Sequence, residues 1–156
     1  MGKRILAIDQ SSRTSGWAIF DDKILENYGK FHYDDIDPIL RIIKLKSDIK
    51  NLVLQNNIDE IILEDIQQQA SVTTYKILAY VLGNLETLFA ENGWKYQLTS
   101  SSTWKSFCGV KGKGRAEQKK NAQLFVLDTF GVKTIQDTVD AICIGWSKAH
   151  GKDSAW

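Results

Sequence analysis

The stretch RILAIDQSSRTSGWAIF, residues 4–20, decides the fold of this chain. Ile5, Leu6, Ala7 and Ile8 are consecutive apolar residues, the pattern of a strand buried on both faces. The run stops at a single carboxylate, Asp9. Small and polar residues follow, and a second apolar run, SGWAIF, begins at Ser15. ILENYGKF comes next, after the turn-like DDK, so the first third of the chain reads as a three-stranded meander. An acid after a strand is commonly a turn former or a helix cap. It is also what a ligand site needs, because open α/β sheets bind outside the carboxyl ends of their strands.

Beyond the meander, Asp37 and Pro38 cap and open a helix. Its apolar positions are Ile39, Leu40, Ile42, Ile43, Leu45, Ile49, Leu52 and Val53, a helical stripe. EIILED is a short buried strand that again ends in carboxylates. Residues 71–91 form a long helix, kinked or closely packed at Gly83. WKYQLT is a fifth strand, SSTWKSFC a short capped helix, VKGKGR a loop, and AEQKKNAQLFVLDTF a helix that stops at Gly131. QDTVDAICIGWSKAH is the last helix, and the tail GKDSAW is a short loose end. A meander followed by strand–helix–strand crossovers implies an α/β fold: a mixed sheet with helices on both faces.

Composition sets the outer limits. A chain of 156 residues, 43% hydrophobic and 25% charged, is an ordinary globular composition, expected as one domain, 1–156. The net charge of +1 carries no global preference for nucleic acid or membrane, so any basic footprint must be local. Cys108 and Cys143 stand among apolar neighbours without metal-ligand spacing, which predicts buried free thiols and a reducing, cytoplasmic setting. The start shows no charged-then-apolar pattern, so no leader is expected, and no apolar run approaches the roughly 18 residues of a membrane span.

Four acids carry the chemistry. Asp9 ends the first strand and Glu64 the fourth. Asp65 alternates to the opposite strand face, which favours Glu64. If those strands are parallel neighbours, both acids emerge at one edge. Asp137 and Asp140, three apart at the start of the last helix, share a face, although Asp137 also suits a helix N-cap. Carboxylates repel, and a protein gathers them around a cation. Oxygen-only ligation selects magnesium, with manganese as substitute. Two ions about 4 Å apart clamp the attacking and leaving oxygens of a phosphodiester. Neither His32 nor His150 stands in a comparable pattern.

ILAIDQSSRTSGWAIF, IILED and DTVDAICIG, in this order and at these separations, resemble the RuvC family of Holliday-junction resolving endonucleases, in the RNase H-like superfamily. The resemblance spans almost the whole chain. It implies an RNase H-like five-stranded mixed sheet, a homodimer, and metal-dependent paired nicking of four-way and related branched DNA. The family's four acidic positions fall on Asp9, Glu64, Asp137 and Asp140, as catalytic residues and ligands of two magnesium ions. The family often carries Asp-Pro-Gly at the first acid, where this chain has Asp9, Gln10 and Ser11. Its bacterial members often place an aromatic three residues beyond the second acid, where this chain has Gln67, taken as a DNA contact. These departures point to a divergent, phage-encoded branch acting in the cytoplasm of a bacterial or infected host cell.

Residues 105–120 hold six basic side chains against one acid, Glu117, a local excess of +5. Lys105, Lys111, Lys113, Arg115, Lys119 and Lys120 are therefore expected on the DNA backbone, with the glycines of KGKGR allowing close approach. By the resemblance, Lys119 or Lys120 stabilises charge at the scissile phosphate; Lys119 is taken for the role. Trp17, Trp94 and Trp146 read as core, while Trp104, Phe107 and Tyr75 are candidates for base stacking or a dimer contact. Ile77, Leu78, Val81, Leu82, Leu85, Leu88 and Phe89 form an apolar face broad enough for a dimer or for a fully packed core helix. Three rival readings remain. A sugar-kinase-like phosphotransferase would need a second domain for which 156 residues leave no room. A non-catalytic branched-DNA binder would gain nothing from four acids. A related nuclease acting on RNA or on RNA–DNA hybrid is the nearest competitor.

Overall fold

The computed structural model describes residues 2–67 and 71–151. The expectation for the tail beyond Gly151 falls outside them. Strands β1 (Arg4–Asp9), β2 (Thr14–Asp21) and β3 (Ile24–His32) form the meander. Helix α1 (Pro38–Gln55) leads to β4 (Glu60–Glu64), and α2 (Val72–Glu91) to β5 (Lys95–Thr99). Helices α3 (Ser101–Phe107), α4 (Arg115–Phe130) and α5 (Gln136–His150) follow. The sheet order is β3-β2-β1-β4-β5. The meander pairs are antiparallel, while β4 lies parallel to both β1 and β5. This is the RNase H-like mixed five-stranded sheet. Among the described residues no helix is long and apolar enough to cross a membrane.

Local chemistry sets the helix ends. The Asp37 side chain accepts from the Ile39 N–H at 2.9 Å, with Pro38 in the first turn. Ser100 does the same for α3, accepting from Thr103 at 3.1 Å. Helix α4 ends at Gly131, whose left-handed φ of 68° costs glycine little.

Side-chain alternation then decides what faces what. Ile5 and Ala7 of β1, Ala18 and Phe20 of β2, and Ile62 of β4 pack with α3, α4 and α5. Leu6, Ile8, Ile19, Ile61 and Leu63 pack on the other face, under α1 and α2. Asp9 continues the series Ile5, Ala7, and Glu64 continues from Ile62. Both acids therefore belong to the α5 face, because strand side chains alternate with a period of two.

Helix α5 lies close to that face because two glycines make room. A Cβ on Gly16 would stand 2.0 Å from the Asp137 carbonyl oxygen, and one on Gly145 would stand 2.5 Å from Phe20 Cε1. The Thr138 hydroxyl donates to the Gly29 carbonyl at 2.9 Å, tying the first turn of α5 to β3.

Three expectations change, and one left open between a dimer face and a packed core helix is decided for the core. Gly83 neither packs closely nor interrupts α2: nothing lies within 4 Å of a Cβ built there. Only part of the α1 stripe is covered: Ile42, Leu45, Ile49 and Val53 are buried, whereas Ile39, Leu40 and Ile43 are about half exposed. The broad face of α2 is spent on the core, with Val81, Leu82, Leu85, Leu88 and Phe89 buried, so it is no argument for a dimer. Asp137 is not a cap: α5 starts from Ile135, without a side-chain cap, and Asp137 sits in its first turn, where the helix dipole favours an acid. Cys108 and Cys143 are free and buried, as expected.

Candidate active site

Strand register places the first two acids. Asp9 pairs with Gly16 across β1–β2, Ile8 with Leu63 across β1–β4, and Glu64 with Thr99 across β4–β5. Asp9 and Glu64 thus end adjacent parallel strands at one sheet edge, and α5 brings Asp140 to the same place. An open cavity of about 460 Å³ lies there, lined by Asp9, Glu64 and Asp140 together with Lys105, Arg115 and Lys119. Gln67 also lines it, as do Asp65, Gln118 and Gln136. Asp137 does not line the cavity, but its charge reaches Asp9.

Electrostatics show how closely the acids are coupled. Burial pushes the Asp9 carboxyl well above the ordinary range, and Asp140, Glu64 and Asp137 add to the push, against Lys105. Asp140 rises to about 6, mainly through burial, partly offset by a hydrogen bond from Gln136 Nε2 at 2.7 Å. Glu64 is raised by burial and pulled back by the Trp104 indole N–H and by Lys105. Asp137 is raised by burial and lowered by Lys119 and Lys30.

A stability consequence follows from Asp140. Folded, it keeps its proton up to about pH 6, whereas its ordinary value is 3.8. Between those values the folded state binds more protons than the unfolded, so stability falls as pH rises through the window and stays lower above it. Asp140→Asn keeps an acceptor for Gln136 and removes the charge. Without metal it is expected to gain on the order of 2–3 kcal/mol near neutral pH. The gain should fade as pH falls below the window. Urea unfolding of both proteins on either side of it is the check, and a pH-independent difference would count against the coupling.

The basic run divides. Lys105, Arg115 and Lys119 line the cavity, whereas Lys111, Lys113 and Lys120 are exposed outside it. Lys105 is part of the site's own structure: its ammonium donates to Gln118 Oε1 at 3.2 Å and lies 5.5 Å from the Trp104 ring centre. The glycines of the loop serve the loop. Gly112 sits against the start of α4, where a Cβ would be 3.0 Å from the Gln118 nitrogen, and Gly114 takes φ 88° to enter that helix.

The aromatic expectations also divide. Trp104 is 1% exposed and donates to Glu64 Oε2 at 2.9 Å, so no base can stack on it. Phe107 is 41% exposed, with its ring centre 5.4 Å from that of Trp146, and Tyr75 is 40% exposed. Trp17, Trp94 and Trp146 pack against the core as expected. Sequence reading missed Trp104's role, and it missed Gln10, Gln136 and Lys30. Gln10 Nε2 donates to the Glu64 carbonyl at 2.5 Å, and Gln136 is itself held by Gln123 at 2.8 Å. Lys30 stands opposite Gly16, which stands opposite Asp9, a position that strand register alone could have supplied.

A hard divalent cation suits the donor set: carboxylate oxygens within mutual electrostatic range, and no histidine or cysteine in the described cavity lining. As the side chains stand, no three His, Cys, Asp or Glu among the described residues converge on one ion position. Glu64 and Asp140 are each tied by one oxygen to an N–H donor, Trp104 and Gln136 respectively.

No protein-family model matches the sequence, and no curated protein matches it significantly. Solved structures do match. Thermus thermophilus RuvC, in complex with a Holliday junction substrate, aligns with a TM-score of 0.79 at 13% identity, over 94% of this chain and 92% of that one. The Fowlpox virus resolvase, in complex with Holliday junction DNA, gives 0.67 at 15% identity, covering 94% and 96%. The yeast mitochondrial Holliday junction resolvase gives 0.60 at 17% identity, covering 92% and 77%. The chain has the RuvC-like resolvase fold.

Proposed function

We propose that this chain is a divalent-metal-dependent endonuclease that resolves Holliday junctions and related branched DNA, nicking opposing strands in pairs as a homodimer. One observation carries the reading: strand alternation and the docking of α5 gather Asp9, Glu64, Asp137 and Asp140 at one sheet edge, beside a cavity that also holds three cationic side chains. The fold, shared with proteins solved on Holliday junctions, supports the substrate class.

Asp9, Glu64, Asp137 and Asp140 would hold magnesium, or manganese in its place, as two ions per site. When bound, such ions supply Lewis-acid stabilisation of charge developing on the phosphodiester. The four carboxylates must be ionised to take them up, so uptake releases protons from groups that burial keeps raised. Lys119, on the cavity wall, balances the charge of Asp137 and would meet a phosphate oxygen there. Lys105 does the same for Asp9, Glu64 and Asp140 from the α3 side. Arg115 and Gln67 extend the wall toward the DNA, and Lys111, Lys113 and Lys120 provide exposed charge for the junction arms. We place the activity in the cytoplasm of a bacterial or phage-infected cell.

The deciding experiment is cleavage with magnesium of four-way, three-way and linear DNA and of RNA–DNA hybrid, with nicks mapped on every strand. The reading expects nicks at matching positions on two opposing strands of the four-way junction, and linear product from a cruciform plasmid without accumulated nicked circle. Preferred cutting of hybrid would move the chain to the RNA-directed nucleases. Tight junction binding without cutting would make it a binding module.

The exposed lysines carry their own prediction. Lys111→Ala with Lys113→Ala should weaken junction binding and flatten its dependence on salt by about 0.9 in log–log slope per lost phosphate contact. Gel-shift titrations across salt concentrations measure it. An unchanged slope would return both residues to the solvated surface.

A further inference from the structure

Trp104 heads the fully buried side chains by volume, and it takes a polar N–H into that burial. A buried donor needs an acceptor, and most find a backbone carbonyl. This one uses a carboxylate, Glu64 Oε2 at 2.9 Å. The contact is built into the chain path. Thr99 pairs with Glu64 at the end of β5, Ser100 caps α3, and Trp104 follows one turn later. Gln10 holds the other end of the same residue, donating to the Glu64 carbonyl at 2.5 Å. Glu64 is thus fixed at its backbone and at one carboxylate oxygen. Among the described residues its second oxygen accepts no hydrogen bond, and Glu64 lines the cavity. A charge-assisted N–H bond also favours the ionised carboxylate against its burial.

The geometry points to Trp104 as the positioning residue for Glu64: its indole N–H fixes the direction in which the carboxylate offers its second oxygen to a divalent cation. This rests on the metal-dependent reading above. Groups that orient metal-binding side chains from behind typically account for 10–100-fold in metal affinity.

The test is Mn2+ binding by calorimetry to the wild-type chain, Trp104→Phe and Glu64→Ala, with circular dichroism confirming the fold of each. Trp104→Phe should bind Mn2+ about tenfold more weakly or worse. The Trp104 indole N–H resonance, assigned by Trp→Phe at Trp17, Trp94, Trp146 and Trp156, should shift in Glu64→Ala and on adding Mg2+ to the wild type. The resonance needs no change at Trp104 and so decides the matter even if Trp104→Phe does not fold. Lost Mn2+ binding in Glu64→Ala, with wild-type affinity in Trp104→Phe, would overturn the positioning role and leave the metal site standing. An indole resonance that answers neither Glu64→Ala nor Mg2+ would do the same. Wild-type Mn2+ binding by Glu64→Ala would overturn the metal site itself, and the positioning role with it.

Discussion

Asp9→Asn is expected to reduce junction cleavage by on the order of a thousandfold or more, the scale on which losing a dominant electrostatic element lowers a rate, while junction binding persists. Asp9 is the acid on which the other three converge electrostatically, in the order Asp140, Glu64, Asp137. It ends β1, paired with Gly16, so an amide of the same shape disturbs no strand pairing. What changes is charge. An amide cannot take the ionised form that a hard cation requires, and its removal also relieves repulsion, so the metal-free variant should be no less stable than the wild type. The phosphate contacts proposed for the exposed lysines are untouched, which is why binding should survive. Single-turnover cleavage and a gel shift in chelator separate the two effects. Undiminished cleavage would remove Asp9 from the site, and loss of binding alone would recast it as a DNA contact.

Gly16→Ala carries the second large effect, and it tests the fold and the site together. The added Cβ would stand 2.0 Å from the Asp137 carbonyl oxygen and 2.2 Å from its carbonyl carbon, so backbone must move. On one side the strand is held between β1 and β3. On the other, α5 is anchored by Thr138 to Gly29 and by the buried Ala141, Ile142 and Ile144. Overpacking of this kind costs roughly 1–3 kcal/mol or more. The first two turns of α5 carry Asp137 and Asp140, and a misplacement of about 1 Å in such groups costs roughly a hundredfold in rate. Activity should therefore fall further than stability explains, at a temperature where the variant is still folded. Gly83→Ala is the control, because nothing lies within 4 Å of its added Cβ and alanine is the better helix former. It should match or exceed the wild type in urea. Wild-type stability and cleavage in Gly16→Ala would contradict the close docking of α5 on β2.

Much of this architecture was legible in the chain because the signals are local. RILAID and EIILE announce buried strands by consecutive apolar residues, Asp37-Pro38 and Gly131 mark helix ends, and each acts within a few residues of itself. Two strand-terminal acids and a helical acidic pair stood out for the same reason. Alternation puts Glu64 on the α5 face at the end of β4, but it does not reach Asp65, which lies past the strand and lines the same cavity. Coverage and proximity depend instead on residues far apart in sequence. Periodicity shows that one face of α1 is apolar; only packing decides that Ile42 and Leu45 are buried while Ile39 and Ile43 stay exposed. Six basic residues in a row of sixteen look alike until α3 and α4 fold against the sheet edge and bring Lys105, Arg115 and Lys119 to the cavity. Trp104 looked like a stacking residue because its neighbours are polar and basic. It is a core residue because a carboxylate 40 positions earlier accepts its N–H. Periods and caps come from short-range sterics and hydrogen bonds that any stretch of sequence displays. Which side chains meet across the sheet is decided by long-range packing, in which glycines at 16 and 145 matter through the atoms they leave room for.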